Sequence, residues 1–162
     1  MSAITAQVEM KVQATELFTE VEMPGATDRS VTYSGFSYKE RLKSDTVPVA
    51  EKLHNQSGVG PVNLDLTALV RDIGATQDMT GLALQVLQFN NTDDTLLVIS
   101  DGAANPYPVN AGLDITIEPG AKALFMFEEQ LAAVSPTVKM LDITATAAKT
   151  WELLMIFGTN TP

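Results

Sequence analysis

The sequence predicts an all-β protein, an antiparallel β-sandwich or jelly-roll-like barrel with an extended N-terminal region. Short blocks in which apolar and polar residues alternate recur along the chain, and a period of two is typical of a strand with one buried face. Turn-forming pairs such as Pro24-Gly25 and Pro119-Gly120 separate the blocks. Helical patterns of about 10 to 15 residues between the strands are missing, which argues against a wound α/β sheet.

The N-terminal blocks predict strands with one ambiguity. Val8, Met10 and Val12 alternate with polar neighbours, as expected for a half-buried strand. Residues 14–23 fit a strand less cleanly, because Leu17 and Phe18 are adjacent and both apolar. A helix over residues 14–22 is the competing interpretation.

Residues 39–60 differ from the rest of the chain. Four of the ten cations fall within this segment, Lys39, Arg41, Lys43 and Lys52, among polar and turn-forming residues. The pattern predicts a long exposed loop or arm, and loops longer than about 12 to 15 residues are commonly functional. We expect these four cations to contact an acidic partner surface, including another copy of the chain. A solvated basic loop without a partner is the alternative.

The remaining blocks predict the core of the sandwich. Residues 62–68 and 113–117 alternate regularly, whereas residues 82–89, 121–127 and 151–157 are apolar on both faces. The second pattern is typical of strands that are buried on both sides or face a neighbouring subunit. The alternation slips phase within residues 82–89 and again within residues 138–145, and each slip predicts a β-bulge.

Two further features complete the predicted architecture. The best helical signals, at residues 67–73 and 127–134, are single turns. The length of 162 residues suits one domain, in which residues 1–60 supply N-terminal strands and the basic arm and residues 61–162 form the sandwich core.

Composition excludes several classes of function. Twenty acidic residues against ten cations give a net charge of −10, which disfavours nucleic acid and anionic membranes as partners. There is no cysteine, and the one histidine, His54, lies in a polar stretch that we expect to be an exposed loop. We therefore predict no enzymatic activity and no cofactor or metal, with calcium at a loop left open.

Tyr107 is the best candidate for an aromatic contact. It lies between Pro106 and Pro108, which predicts a stiff, exposed loop. A tyrosine on such a loop offers a large apolar ring and a polar hydroxyl to a partner. Packing into the protein's own core is the alternative.

The second half of the chain carries a series of strand and turn motifs: Gly81-Leu82-x-Leu84-Gln85-Val86-Leu87, Ile99-Ser100-Asp101-Gly102, Ile115-Thr116-Ile117-x-Pro119-Gly120 and Leu154-Met155-Ile156-Phe157-Gly158. In these motifs, which span about half of the chain, it resembles small β-sandwich virion proteins of tailed bacteriophages, of the kind that decorate or cement the head. None of the motifs is a catalytic signature.

The resemblance implies a structural protein on the virion capsid surface, made in the host cytoplasm. Its partners would be the major capsid protein and copies of itself, clustered as homotrimers. The alternative function is a receptor- or glycan-binding β-sandwich module of a phage tail, fibre or cell surface, which would use Tyr107 and the polar loops.

Overall fold

Twelve β-strands make up the regular secondary structure of the residues that the computed structural model describes. Those residues are 5–18, 29–43, 49–70, 74–109, 114–127, 131–145 and 149–159; within the first two strands the described side chains are those of Gln7 and Glu9. The strands are β1 (Thr5–Phe18), β2 (Arg29–Lys43), β3 (Val49–Val59), β4 (Val62–Asp65), β5 (Leu69–Val70), β6 (Thr76–Gln77), β7 (Ala83–Asn91), β8 (Leu97–Asp101), β9 (Ile115–Ile117), β10 (Lys122–Met126), β11 (Met140–Thr144) and β12 (Thr150–Thr159).

The order of the strands is that of a jelly roll. One sheet runs β1-β2-β3-β12-β7-β10 and the other β4-β11-β8-β9, while β5 and β6 form a separate small hairpin. Eight strands remain when β1, β2 and the β5–β6 hairpin are left out. Numbered 1 to 8 in chain order from β3, they run 1-8-3-6 in one sheet and 2-7-4-5 in the other, and all neighbours are antiparallel. This is the double Greek-key order of a jelly roll, and the predicted all-β sandwich is confirmed.

The main core lies between the two sheets. It is lined by alternate residues of β7, β8, β11 and β12, including Phe89, Ile99 and Leu141, all of which are buried. Trp151 is at its centre, stacked on Phe89 with 6.0 Å between ring centroids, and its indole N–H donates to the carbonyl of Gly60 at 2.9 Å. The prediction that residues 151–157 contribute to the core is thus confirmed at Trp151.

One of the two predicted bulges is present. Ile156 of β12 lies opposite Val86, but Phe157 lies opposite Leu84, so Gln85 is the extra residue in β7. The second, within residues 138–145, was predicted wrongly, because β11 pairs with β4 and β8 without a shift of register. The alternation of core-facing residues changes phase just before β11, after the isolated bridge between Ser135 and Val138.

Several local predictions need correction. Residues 14–18 belong to β1, which confirms the predicted strand there and excludes the competing helix from residue 14. The predicted loop at 39–60 is also wrong, because residues 39–43 end β2 and residues 49–59 form β3, which pairs with the central strand β12 along its length. The described part of 127–134 is not helical. Residues 19–23, 24–25 and 71–73, on which other predictions fall, lie outside the described residues.

The first two strands form a long arm, called here the N-terminal arm (β1 and β2). They pair with each other over almost their entire length, whereas a single register pair, Lys43 with Val49, joins β2 to β3. At about 3.3 Å per residue, a strand of 14 residues spans roughly 45 Å. An isolated hairpin is at best marginally stable in water, so such an arm gains stability from a surface on which it lies.

Candidate functional site

The basic residues predicted as partner contacts are concentrated in the N-terminal arm. Lys39, Arg41 and Lys43 occupy alternate positions at the end of β2, where Lys39 lies across from Glu9 and Arg41 across from Gln7. Residues 29–43 hold four cations and one acid, whereas residues 49–159 hold five cations and thirteen acids. Strand β2 therefore carries a net charge of +3, whereas β1, with Lys11 against Glu9 and Glu16, carries −1 and the jelly roll carries −8.

Lys52, the fourth predicted contact, belongs to a different surface. It lies in β3, and its ammonium donates to the backbone carbonyl of Asp78, directly after β6. This bond holds the β5–β6 hairpin against β3. Lys52 thus has a structural partner within its own chain, and its contact with another molecule stays a prediction.

Tyr107 does not lie on the surface. Its ring is wholly buried in the main core, and its hydroxyl accepts a hydrogen bond from the backbone N–H of Leu84 at 2.9 Å. Burial raises the pKa of Tyr107 to about 12, because the phenolate would have to exist away from water. The prediction of an exposed contact at Tyr107 is wrong.

His54 is also buried, contrary to the predicted exposed loop. It lies in the middle of β3 with its ring nitrogens beside two side-chain amide oxygens, Gln77 Oε1 at 3.3 Å and Gln56 Oε1 at 3.1 Å. Together with Lys52, this contact fixes the β5–β6 hairpin to the sheet. Neither neighbour is a nucleophile or a carboxylate, so the arrangement is that of a polar structural contact.

The outer face of the six-stranded sheet is apolar and forms a groove with the N-terminal arm. Its floor comes from four neighbouring strands, with Leu53 on β3, Leu154 and Ile156 on β12, Val86 on β7 and Leu124 on β10. On the side of the arm, the groove is lined by the exposed side chains of Gln7 and Glu9. The volume is about 480 Å³, which lies in the range of small-molecule sites.

A smaller polar groove continues from this one. It has a volume of about 150 Å³ and shares Gln88, Lys122 and Leu154 with its apolar neighbour. In the polar groove, Asn90 Nδ2 donates to Glu152 Oε2 at 2.7 Å. The apolar floor and the polar groove together resemble an interface, in which an apolar centre is bordered by polar groups.

A cluster of three charged side chains lies at the start of β12. Lys149 Nζ contacts Asp93 Oδ1 at 2.9 Å and also bonds Asp94, while Asp93 Oδ2 accepts the N–H of Thr150 at 3.1 Å. The Lys149 ammonium and the backbone N–H groups of Asp94 and Thr150 hold the pKa of Asp93 below its ordinary value. This cluster ties the turn after β7 to β12. The described residues contain no group of three or more His, Asp or Glu that could hold a metal ion.

The apolar sheet face could be anticipated, but the arm above it could not. Residues 82–89, 121–127 and 151–157 were apolar on both faces, and they supply four of the five floor residues. Gln7 and Glu9 gave no signal, because polar residues that alternate along a strand usually face solvent. Their place beside the groove depends on the pairing of β1 with β2 and of β2 with β3.

Comparison with known proteins adds no relative: no protein-family model, curated protein or solved structure matches this chain. Among the described residues, no helix is long and apolar enough to cross a membrane.

Proposed function

We propose that this protein is a non-enzymatic structural protein of a bacteriophage virion, which associates with copies of itself and decorates or cements the capsid. The observation that supports this best is the contrast in charge between strand β2 and the jelly roll. A basic arm strand of net charge +3 extends from an acidic jelly roll of net charge −8, to which one register pair joins it. Opposite charges on separate surfaces favour contacts between copies.

The shape of the arm supports the same function. A hairpin roughly 45 Å long that pairs with its own sheet at one end can reach a neighbouring subunit or an acidic patch of the shell. Such a contact would bury surface across the boundary between capsomers. A cement protein stabilises a shell in this way, because shell proteins cannot separate without first exposing the buried surface.

The jelly roll is compatible with the virion setting and does not select it. This fold occurs in viral capsid proteins and in lectins, and a fold alone does not define a function. The virion assignment comes from the strand and turn motifs of residues 81–158. The receptor- or glycan-binding alternative used Tyr107 and the polar loops, and of these the Tyr107 ring is buried.

The proposal is tested with the purified full-length protein and with empty heads assembled from the major capsid protein of the same genome. Light scattering coupled to size exclusion should give the mass of an oligomer, for which the resemblance implies three copies. The protein should cosediment with the heads and raise their resistance to heat, whereas an unrelated acidic protein of similar size should not. A monomer at high concentration that fails to bind the heads would overturn the proposal.

A further inference from the structure

Strand β10 forms one end of the six-stranded sheet, and the phase of its hydrogen bonds is fixed. The N–H of Asn91 donates to the carbonyl of Ala121 at 2.9 Å, and the N–H of Phe127 donates to the carbonyl of Gln85 at 3.0 Å. Antiparallel pairing alternates between bonded and non-bonded residues. Ala123 and Phe125 therefore bond to β7, while the backbone groups of the intervening residues, Lys122, Leu124 and Met126, point away from the sheet.

This edge has little of the protection that sheet edges usually carry. Natural edges are kept apart by charges, prolines, bulges or short length. In the four-stranded sheet, β9 has three residues and is flanked by exposed Asp114 and Glu118, and β4 contains Asp65. In β10, Lys122 is the first residue and is followed by four apolar, half-buried residues, and the acids nearest in the sequence, Glu128 and Glu129, come after the strand.

The outward groups of β10 are complementary to those of a second β10. If two strands meet antiparallel about Leu124, each Leu124 exchanges both backbone bonds with its counterpart, and Lys122 does so with Met126. The two lysines then lie at opposite ends of the pair, whereas parallel strands would place them side by side. Charge separation and the phase of the bonds thus select the same register.

We propose that two copies of this chain associate through β10, with the two strands antiparallel and a two-fold axis at Leu124. This pairing joins the two six-stranded sheets edge to edge. Residues that face each other lie on the same side of a sheet, so both apolar layers continue across the contact. Leu124 and Met126 extend the layer under the groove, and Ala123 and Phe125 extend the main core.

The pairing rests on the self-association in the proposed function and names a surface for it. A two-fold contact between single subunits does not by itself build a trimer, but it can link copies that belong to adjacent trimers. Such an isologous contact closes on itself, so it joins two copies without starting a fibre.

The absence of cysteine makes a direct test possible. A Leu124→Cys variant of the full chain, treated with a short bifunctional maleimide, should give a covalent dimer with residue 124 joined to residue 124. Leu96→Cys is the matched control, because Leu96 is an exposed leucine that lies directly before β8, a strand of the other sheet. It should give dimer only at the background level.

A second variant tests the backbone bonds. Leu124→Pro removes the outward N–H while leaving the bonds of Ala123 and Phe125 to β7, and proline is tolerated on edge strands in this orientation. Size exclusion should show loss of the two-fold contact with the near-ultraviolet spectrum retained. If this variant does not fold, the cross-linking result decides alone.

The outcomes separate the pairing from the proposed function. Equal cross-linking of Leu124→Cys and Leu96→Cys overturns the pairing, and oligomers that still bind heads would then leave the proposed function in place. Specific cross-linking at residue 124 without any binding to heads supports the pairing and overturns the virion function.

Discussion

Tyr107 shows at the scale of one residue how a turn signal can mislead. Two flanking prolines stiffen the segment, but its backbone bonds to β11, since the N–H of Tyr107 donates to the carbonyl of Met140 at 2.8 Å. The side chain is thereby aimed into the core, where its hydroxyl satisfies the N–H of Leu84. The N–H of Leu84 lies next to the bulge at Gln85, where the regular pairing of β7 with β12 is interrupted.

We expect Tyr107→Phe to lower the free energy of unfolding by about 1–3 kcal/mol, because it leaves a buried backbone N–H without its acceptor. Urea denaturation measures the change. Thr116→Val, which removes an exposed hydroxyl from β9, should change stability by less than about 0.5 kcal/mol. Equal effects of the two substitutions would show that the Leu84 bond contributes nothing.

Asp93 provides a prediction about pH. Its pKa is lowered in the folded state, so its contribution to stability is present above the unfolded value near 3.8 and is lost as the pH falls below that value. Asp93→Asn should therefore destabilise the protein at neutral pH, and the difference from the native chain should shrink as the pH falls below about 4. Thermal unfolding over a pH series measures this. Asp114→Asn, an exposed carboxylate beside β9, is the control; a difference for Asp93→Asn that does not change with pH would contradict the assignment.

At the scale of elements, the packing of β3 on β12 depends on a glycine. Gly58 lies opposite Trp151, and a Cβ at this position would meet the indole ring directly. We expect Gly58→Ala to destabilise the protein by about 1–3 kcal/mol, because the ring is held by Phe89 and by the carbonyl of Gly60 and has little room to move. Denaturation followed by tryptophan fluorescence measures this. The neighbouring Val59→Ala, at a position 63% exposed, should be nearly neutral.

Strand β3 also shows where prediction from sequence fails. Apolar blocks such as residues 151–157 were assigned correctly because their pattern follows from burial on both faces. In β3, polar residues occupy both faces, with Lys52 and His54 on one side and Asn55 on the other. This strand forms because β12 supplies ten register partners and because the β5–β6 hairpin satisfies Lys52 and His54. Both are long-range contacts that local alternation does not reveal.

At the scale of the whole molecule, the two sheets present different surfaces. The outward positions of the four-stranded sheet include Asn63, Ser100 and Thr116, which are polar. The outer face of the six-stranded sheet carries the apolar floor of the groove, and the basic strand β2 lies next to β3. The apolar surface, the edge strand β10 and the basic strand β2 thus belong to one sheet, and we expect association on that side of the molecule.

The contribution of the arm to association can be tested by removing the cations of β2. Replacing Lys39, Arg41 and Lys43 by Gln removes three cations from β2. If each contributes about 0.5 kcal/mol to contacts with acidic surfaces, association should weaken by about 1.5 kcal/mol, roughly tenfold in the dissociation constant. Sedimentation equilibrium measures the change. The native chain should associate less tightly at high ionic strength, and the variant should have lost most of this salt dependence.

The matched control places the same change of net charge outside the arm. Substituting Glu for three exposed apolar residues of the jelly roll, Val59, Val70 and Leu96, also makes the chain more negative by three charges. If general repulsion between acidic subunits governs association, both triple variants weaken it equally. If the cations of β2 bind the acidic surface of a neighbouring copy, the arm variant loses more affinity and more salt dependence than the control, because only that variant removes the attractive partner.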